Sequence, residues 1–93
     1  MMPQYLYEVI LDRKVNPREG SYTCRLFERG EDEILKKIGE EAVEVILAAK
    51  GQGDNRLVEE LADLYYHVLV LLVWRGLKPD AIDSELLRRH PAG

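Results

Sequence analysis

One cysteine stands in the 93 residues, so Cys24 has no partner within the chain and no internal disulfide is possible. A reducing compartment, the cytoplasm, is the expectation that follows. Basic residues are outnumbered, 13 Lys and Arg against 17 Asp and Glu, and the formal net charge is -4. That balance argues against a general nucleic-acid binder, because phosphate backbones select basic surfaces. It leaves room for one small phosphorylated ligand, since a bound cation can reverse the local sign. Long apolar runs are missing too. The longest, Leu64 to Trp74, is broken by His67 and as a helix spans roughly 16 Å, about half a bilayer core. Pro3, Gln4 and Glu8 interrupt the first ten residues, which do not read as a signal peptide. With 46% hydrophobic and 32% charged residues, the chain is expected to be a single globular domain, 1–93, with a modest core.

Strand patterns and internal repeats are absent as well, and helical spacing takes their place. Tyr5, Leu6, Val9 and Ile10 predict a short first helix ending near Lys14. Asn16-Pro17 and Gly20 then force a loop. Ser21 is a suitable N-cap for a second helix, Tyr22 to Arg29, which Gly30 ends. Glu31 to Lys50 reads as a long amphipathic helix with three acids at its positive end and core stripe Ile34, Ile38, Ala42, Val45, Ile46 and Ala49. Asp54 or Asn55 is the expected cap of a fourth helix reaching Arg75, with stripe Leu57, Leu61, Leu64, Val68 and Leu72. Pro79 suits the first turn of a fifth helix that runs to about Arg89. The predicted fold class is all-α, a helical bundle built around a long antiparallel hairpin.

The breaker Gly51-Gln52-Gly53 sits between two acidic clusters. If the third and fourth helices fold back about Gln52, Glu44 comes level with Glu60, Glu41 with Asp63, and Lys37 with His67. At about 100° per residue, Lys37, Glu41 and Glu44 share a sector beside one core stripe, and Glu60, Asp63 and His67 share one beside the other. Glu40 points further round. Carboxylates gathered in this way repel one another unless a cation sits among them, and hard divalent ions such as Mg2+ prefer oxygen ligands. Each Glu-x-x-Glu or Glu-x-x-Asp alone is more often a solvated face, and spacing by itself leaves a metal site and paired solvated faces equally open. Lys37 reads either as an i,i+4 partner of Glu41 or as a phosphate contact. His67 reads first as a hydrogen-bonded seam residue, Tyr22, Leu26 and Phe27 as packing, and Gly39 as either a point of close approach or nothing.

Val43 and Leu47 lie opposite the stripe of their helix, and Val70 and Val73 face away from Leu61 and Val68. A helix apolar on every side must be covered on every side, so a homodimer or higher homo-oligomer is expected to complete the bundle.

The chain resembles the phosphoribosyl-ATP pyrophosphatase family, within the all-α NTP pyrophosphatases, which are recognised by Glu-x-x-Glu followed after a spacer by Glu-x-x-Asp. Here these are Glu41/Glu44 and Glu60/Asp63. The similarity extends over Ser21 to Lys50, Glu60 to Leu72 and the closing LLRRH. The resemblance implies Mg2+-dependent hydrolysis of phosphoribosyl-ATP to phosphoribosyl-AMP and pyrophosphate, the second step of histidine synthesis. It implies Glu41, Glu44, Glu60 and Asp63 as metal ligands, Glu40 or Glu44 as the group that orients the attacking water, and Lys37 with Arg88 or Arg89 as phosphate contacts. The Ser21-Tyr22-Thr23 segment is expected to border the substrate pocket, with no contact assigned. The cyclohydrolase step of bifunctional relatives is expected of another chain. Three rivals stand beside this reading. A housecleaning pyrophosphatase would use the same site on another nucleoside triphosphate. A di-iron bundle would want Glu-x-x-His on two helices, and here one seam histidine follows Asp63 by four. A dimerisation module would carry the acids only for solubility.

Overall fold

The computed structural model describes residues 3–91, which form five helices: α1 (Gln4–Val15), α2 (Tyr22–Arg29), α3 (Glu31–Gly51), α4 (Asp54–Arg75) and α5 (Pro79–Arg89). Their ends follow the local chemistry. The Ser21 hydroxyl accepts from Cys24 N at 3.2 Å and caps α2. Gly30 alone turns the chain from α2 into α3, at a φ of 94° that a side chain would strain. Gly76, at φ 73°, closes α4 in the left-handed conformation, and its amide reaches Leu72 O and Val73 O. One expectation fails here. Neither Asp54 nor Asn55 caps α4; Gly53 holds the cap position and Asp54 is already in the first turn, where its charge suits the helix dipole.

The hairpin of α3 and α4 is the backbone of the fold, with α1 packed on α4 and α2 bridging α1 and α3. The core gathers at one end of that hairpin: Ile34 from α3, Leu69, Val70, Leu72 and Val73 from α4, Tyr7 and Ile10 from α1, and Leu26 from α2. Tyr7 ties this end together by donating to Leu77 O at 3.0 Å.

Packing corrects the sequence reading at several positions. Val70 is 0% exposed and Val73 is buried, because α1 and α2 of the same chain cover the side of α4 that was expected to need a second copy. Each such burial contributes about 1.5–3 kcal/mol. On α1, Tyr7 and Ile10 face inward while Tyr5 and Val9 stay in solvent. On α3, Ala48 is buried, whereas Ile46 is 66% exposed and Ala49 is exposed. The reason is geometric. Toward Gln52 only two helices run side by side, and one seam between two cylinders hides a narrow strip. Val43, Ile46 and Leu47 of α3 and Val58 of α4 therefore face outward. Among the described residues, no helix is long and apolar enough to cross a membrane.

Candidate metal centre

The acidic residues lie on the hairpin beside the α3–α4 seam, where the four-helix end gives way to the bare pair. Antiparallel packing about Gln52 brings Glu41 level with Asp63, and Glu60 lies one turn away on the same face of α4. Oxygens of Glu41, Glu60 and Asp63 all lie within 4.8 Å of one another. Glu60 is only 5% exposed and is held by Arg56, whose Nη2 donates to its Oε1 at 2.5 Å. The Glu41 carboxyl is pushed above its ordinary 4.5, first by burial and then by Asp63, with Glu60 adding to the effect while His67 and Lys37 oppose it. Burial and like charge both disfavour a bare anion there.

This donor set suits a hard divalent cation. Two oxygens on opposite sides of a Mg2+ ion are about 4.2 Å apart, from bond lengths of about 2.0–2.1 Å. Three oxygens within 4.8 Å of one another are close enough for a single ion to lie among them. No nitrogen or sulfur ligand belongs to the cluster, which disfavours zinc.

The remaining sequence candidates are placed as follows. Glu44, half-buried on α3, does not belong to that three-carboxylate group and forms no ion pair among the described residues. Lys37 Nζ lies 3.3 Å from Glu40 and 4.0 Å from Glu41. Burial works against the Lys37 charge, but Glu40, Tyr22 and Glu41 outweigh it and raise its pKa. Glu40 is exposed and takes Lys37 as its partner. Arg88 and Arg89 are not brought to the cluster within the chain; both are exposed and bind Glu85, at 2.5 and 2.7 Å.

His67 is 5% exposed and both ring nitrogens are engaged. Nδ1 faces Asp63 O at 2.8 Å, and a carbonyl only accepts, so Nδ1 carries the proton. Nε2 pairs with the Tyr22 hydroxyl at 2.8 Å. Tyr22 is therefore more than a packing residue. Its ring is 40% exposed, while burial raises its hydroxyl pKa in a field set by Lys37, Glu41, Glu33 and Asp63. No local signal marks this role, because Tyr22 and His67 are 45 positions apart and only the placement of α2 across the hairpin joins them.

Comparison with known proteins identifies the family. The family described as Phosphoribosyl-ATP pyrophosphohydrolase matches residues 4–90. The chain belongs to that family. It is 62% identical over 85 residues to the phosphoribosyl-ATP pyrophosphatase of Pelotomaculum thermopropionicum, covering 91% of this chain and 87% of that one. The phosphoribosyl-ATP pyrophosphatase of Lactiplantibacillus plantarum is 60% identical, covering 91% of this chain and 80% of that one. A histidine-biosynthesis bifunctional protein of Thermoanaerobacter pseudethanolicus is 55% identical over 82 residues, covering 88% of this chain but only 38% of that protein. The Phosphoribosyl-ATP pyrophosphohydrolase match takes in both acidic clusters, α2 and α5.

Proposed function

We propose that this chain hydrolyses phosphoribosyl-ATP to phosphoribosyl-AMP and pyrophosphate in histidine biosynthesis, in the cytoplasm, with Mg2+ held by Glu41, Glu60 and Asp63 and joined by Glu44. Family membership over residues 4–90 supports the activity. The convergence of three carboxylates, one of them buried, is the observation that carries the metal assignment. When bound, the ion supplies charge neutralisation on the triphosphate oxygens and lowers the pKa of coordinated water.

The residues divide the remaining work. Lys37, kept protonated by Glu40 and Glu41, presents a point charge to a phosphate oxygen at the edge of the cluster. Of the two water-orienting candidates, Glu44 is favoured, because the Glu40 carboxylate is occupied by Lys37 whereas Glu44 is engaged in no ion pair among the described residues. Arg88 and Arg89 complete the substrate site across a homodimer. In support, α5 makes only slight contact with its own chain and carries exposed Ile82, Leu86 and Leu87. The outward row Val43, Ile46, Leu47 and Val58 offers a second copy an apolar face beside the cluster.

Pyrophosphate release from phosphoribosyl-ATP, compared with a panel of ordinary nucleoside triphosphates in Mg2+ and in excess chelator, tests this reading. Turnover confined to phosphoribosyl-ATP and abolished by chelator is expected. Equal turnover of common triphosphates would instead favour the housecleaning alternative.

A further inference from the structure

Arg56 stands in the first turn of α4, and the reaction scheme above gives it no part. We propose that Arg56 is the resident counter-cation of the carboxylate cluster: it holds Glu60 while the centre is empty and opposes the divalent ion at that carboxylate, and so sets how tightly the metal binds. This inference rests on the metal assignment proposed above.

Direct contacts single out this side chain. Its terminal nitrogens divide between two carboxylates, Nη1 donating to Glu59 Oε1 and Nη2 to Glu60 Oε1, both at 2.5 Å. Among the described residues no other cation comes so near the cluster. Lys37 Nζ stands 4.0 Å from Glu41 and closer to Glu40, and Asp63 is in no ion pair. Helix energetics do not account for the placement. An arginine in the first turn meets the positive end of the helix dipole, and a cation four residues before its acid is the less favourable order of such a pair. What favours it is Glu60 itself. The Glu60 side chain is only 7% exposed, and a carboxylate so buried beside Glu41 and Asp63 needs a positive partner.

Metal and guanidinium are therefore antagonists. Glu60 gives Oε1 to Arg56, and an oxygen of the same carboxylate lies within 4.8 Å of oxygens of Glu41 and Asp63. An ion bonded to Glu60 would lie about 5–6 Å from the guanidinium, given a metal–oxygen bond of about 2.1 Å. If both cations stay they repel each other; if the half-exposed arginine swings out toward Glu59, its contact with Glu60 is lost. Either way metal affinity falls, by roughly tenfold at the dielectric constant of bulk water before screening. Linkage makes the effect reciprocal, so a bound ion weakens the Arg56–Glu60 pair by the same factor. The empty cluster keeps a positive partner, and the filled one releases its metal more readily.

Titration of metal-free protein with Mn2+ in about 0.1 M salt tests the proposal, with free Mn2+ read by electron paramagnetic resonance and the centre identified as the site lost in Asp63→Asn. Arg56→Gln should lower the Kd for Mn2+ by at least about threefold after screening. Arg56→Lys, which keeps a cation four residues before Glu60, should stay within about twofold of wild type. So should Arg75→Gln, which removes an equal charge at the far end of α4, where it pairs with Glu31. Arg56→Gln binding no more tightly than wild type would overturn the proposal, as would Arg56→Lys or Arg75→Gln tightening the site as much as Arg56→Gln. If circular dichroism finds Arg56→Gln unfolded in EDTA, Mn2+ should restore the helices in place of the guanidinium; a variant unfolded in both conditions would also overturn it. Wild-type protein that binds no Mn2+ at this centre would overturn the metal assignment and this inference together. A wild type that binds it, with Arg56→Gln no tighter, overturns this inference alone.

Discussion

Replacing Glu41 with Gln should make the metal-free protein more stable while removing its response to Mg2+. Glu41 shares a space of 4.8 Å with oxygens of Glu60 and Asp63. At that separation each like-charge pair costs about 0.9 kcal/mol in bulk water and about 3.5 kcal/mol at an effective dielectric constant of about 20. Arg56 partly neutralises Glu60, so the lower figure is the better guide. The substitution also gives up the Lys37 contact at 4.0 Å, worth about 1 kcal/mol on the same scale. Two relieved repulsions, less one lost attraction, leave a gain of about 1 kcal/mol, which in a domain of this size raises Tm by about 4–8 °C. The sign against pH follows from the raised Glu41 pKa. A carboxyl whose folded pKa exceeds its unfolded value contributes stability when protonated, and that contribution is lost as pH rises through the folded pKa. The advantage of Glu41→Gln should therefore grow as pH rises through the raised folded pKa and vanish well below the ordinary carboxylate range, where both proteins are uncharged at this position. Thermal melts by circular dichroism at fixed protein concentration, in EDTA and in Mg2+, read both effects. Wild type at about 100 times its Kd for Mg2+ should gain about 2.7 kcal/mol, and the variant far less. A variant less stable than wild type in EDTA, yet still stabilised by Mg2+, would refute the reasoning.

Other outcomes follow from the same geometry. Arg56→Gln leaves the buried Glu60 carboxylate without its partner, so Tm should fall in EDTA and recover in Mg2+; a loss that Mg2+ leaves untouched would separate Glu60 from the metal. Glu44→Gln should lower kcat by orders of magnitude with helical content preserved, as measured by pyrophosphate release and circular dichroism; a rate near wild type would remove Glu44 from the scheme. Gly39→Ala should raise Tm by about 4–8 °C, because a methyl group there meets nothing within 4 Å and alanine is favoured over glycine in a helix by about 1 kcal/mol. Mixing an inactive Glu41→Gln chain with an inactive Arg88→Ala/Arg89→Ala chain should restore part of the pyrophosphate release if α5 serves the neighbouring subunit's site; a mixture as inactive as its components would confine the arginines to their own chain.

Helix ends were legible because each depends on residues close in sequence: Ser21 before α2, Gly30 at the corner, Gly76 in the left-handed conformation, Pro79 at the start of α5. The pairing of Glu41 with Asp63 was legible for a related reason, since one short turn fixes the register of two long helices. What covers each helix was not. The apolar far side of α4 was correctly seen to need a partner, but periodicity does not name one, and α1 and α2 fill the place assigned to a second copy. On α3, Ile46 and Ala49 were read as core although the hairpin is bare at that end. Hydrophobic spacing reports which face could be buried, whereas burial depends on how far the neighbouring helices reach. The Tyr22–His67 contact is the same limit at the site itself: it forms between helices far apart in sequence, and neither residue's surroundings in the chain mark the other.

The central claim is that Glu41, Glu60 and Asp63 gather around one hard cation, and diffraction from crystals soaked in Mn2+ tests it most directly. An anomalous peak within bonding distance of all three carboxylates, lost in crystals of Asp63→Asn, is the expected result. Manganese peaks only elsewhere on the protein, with those oxygens left uncoordinated, would contradict it.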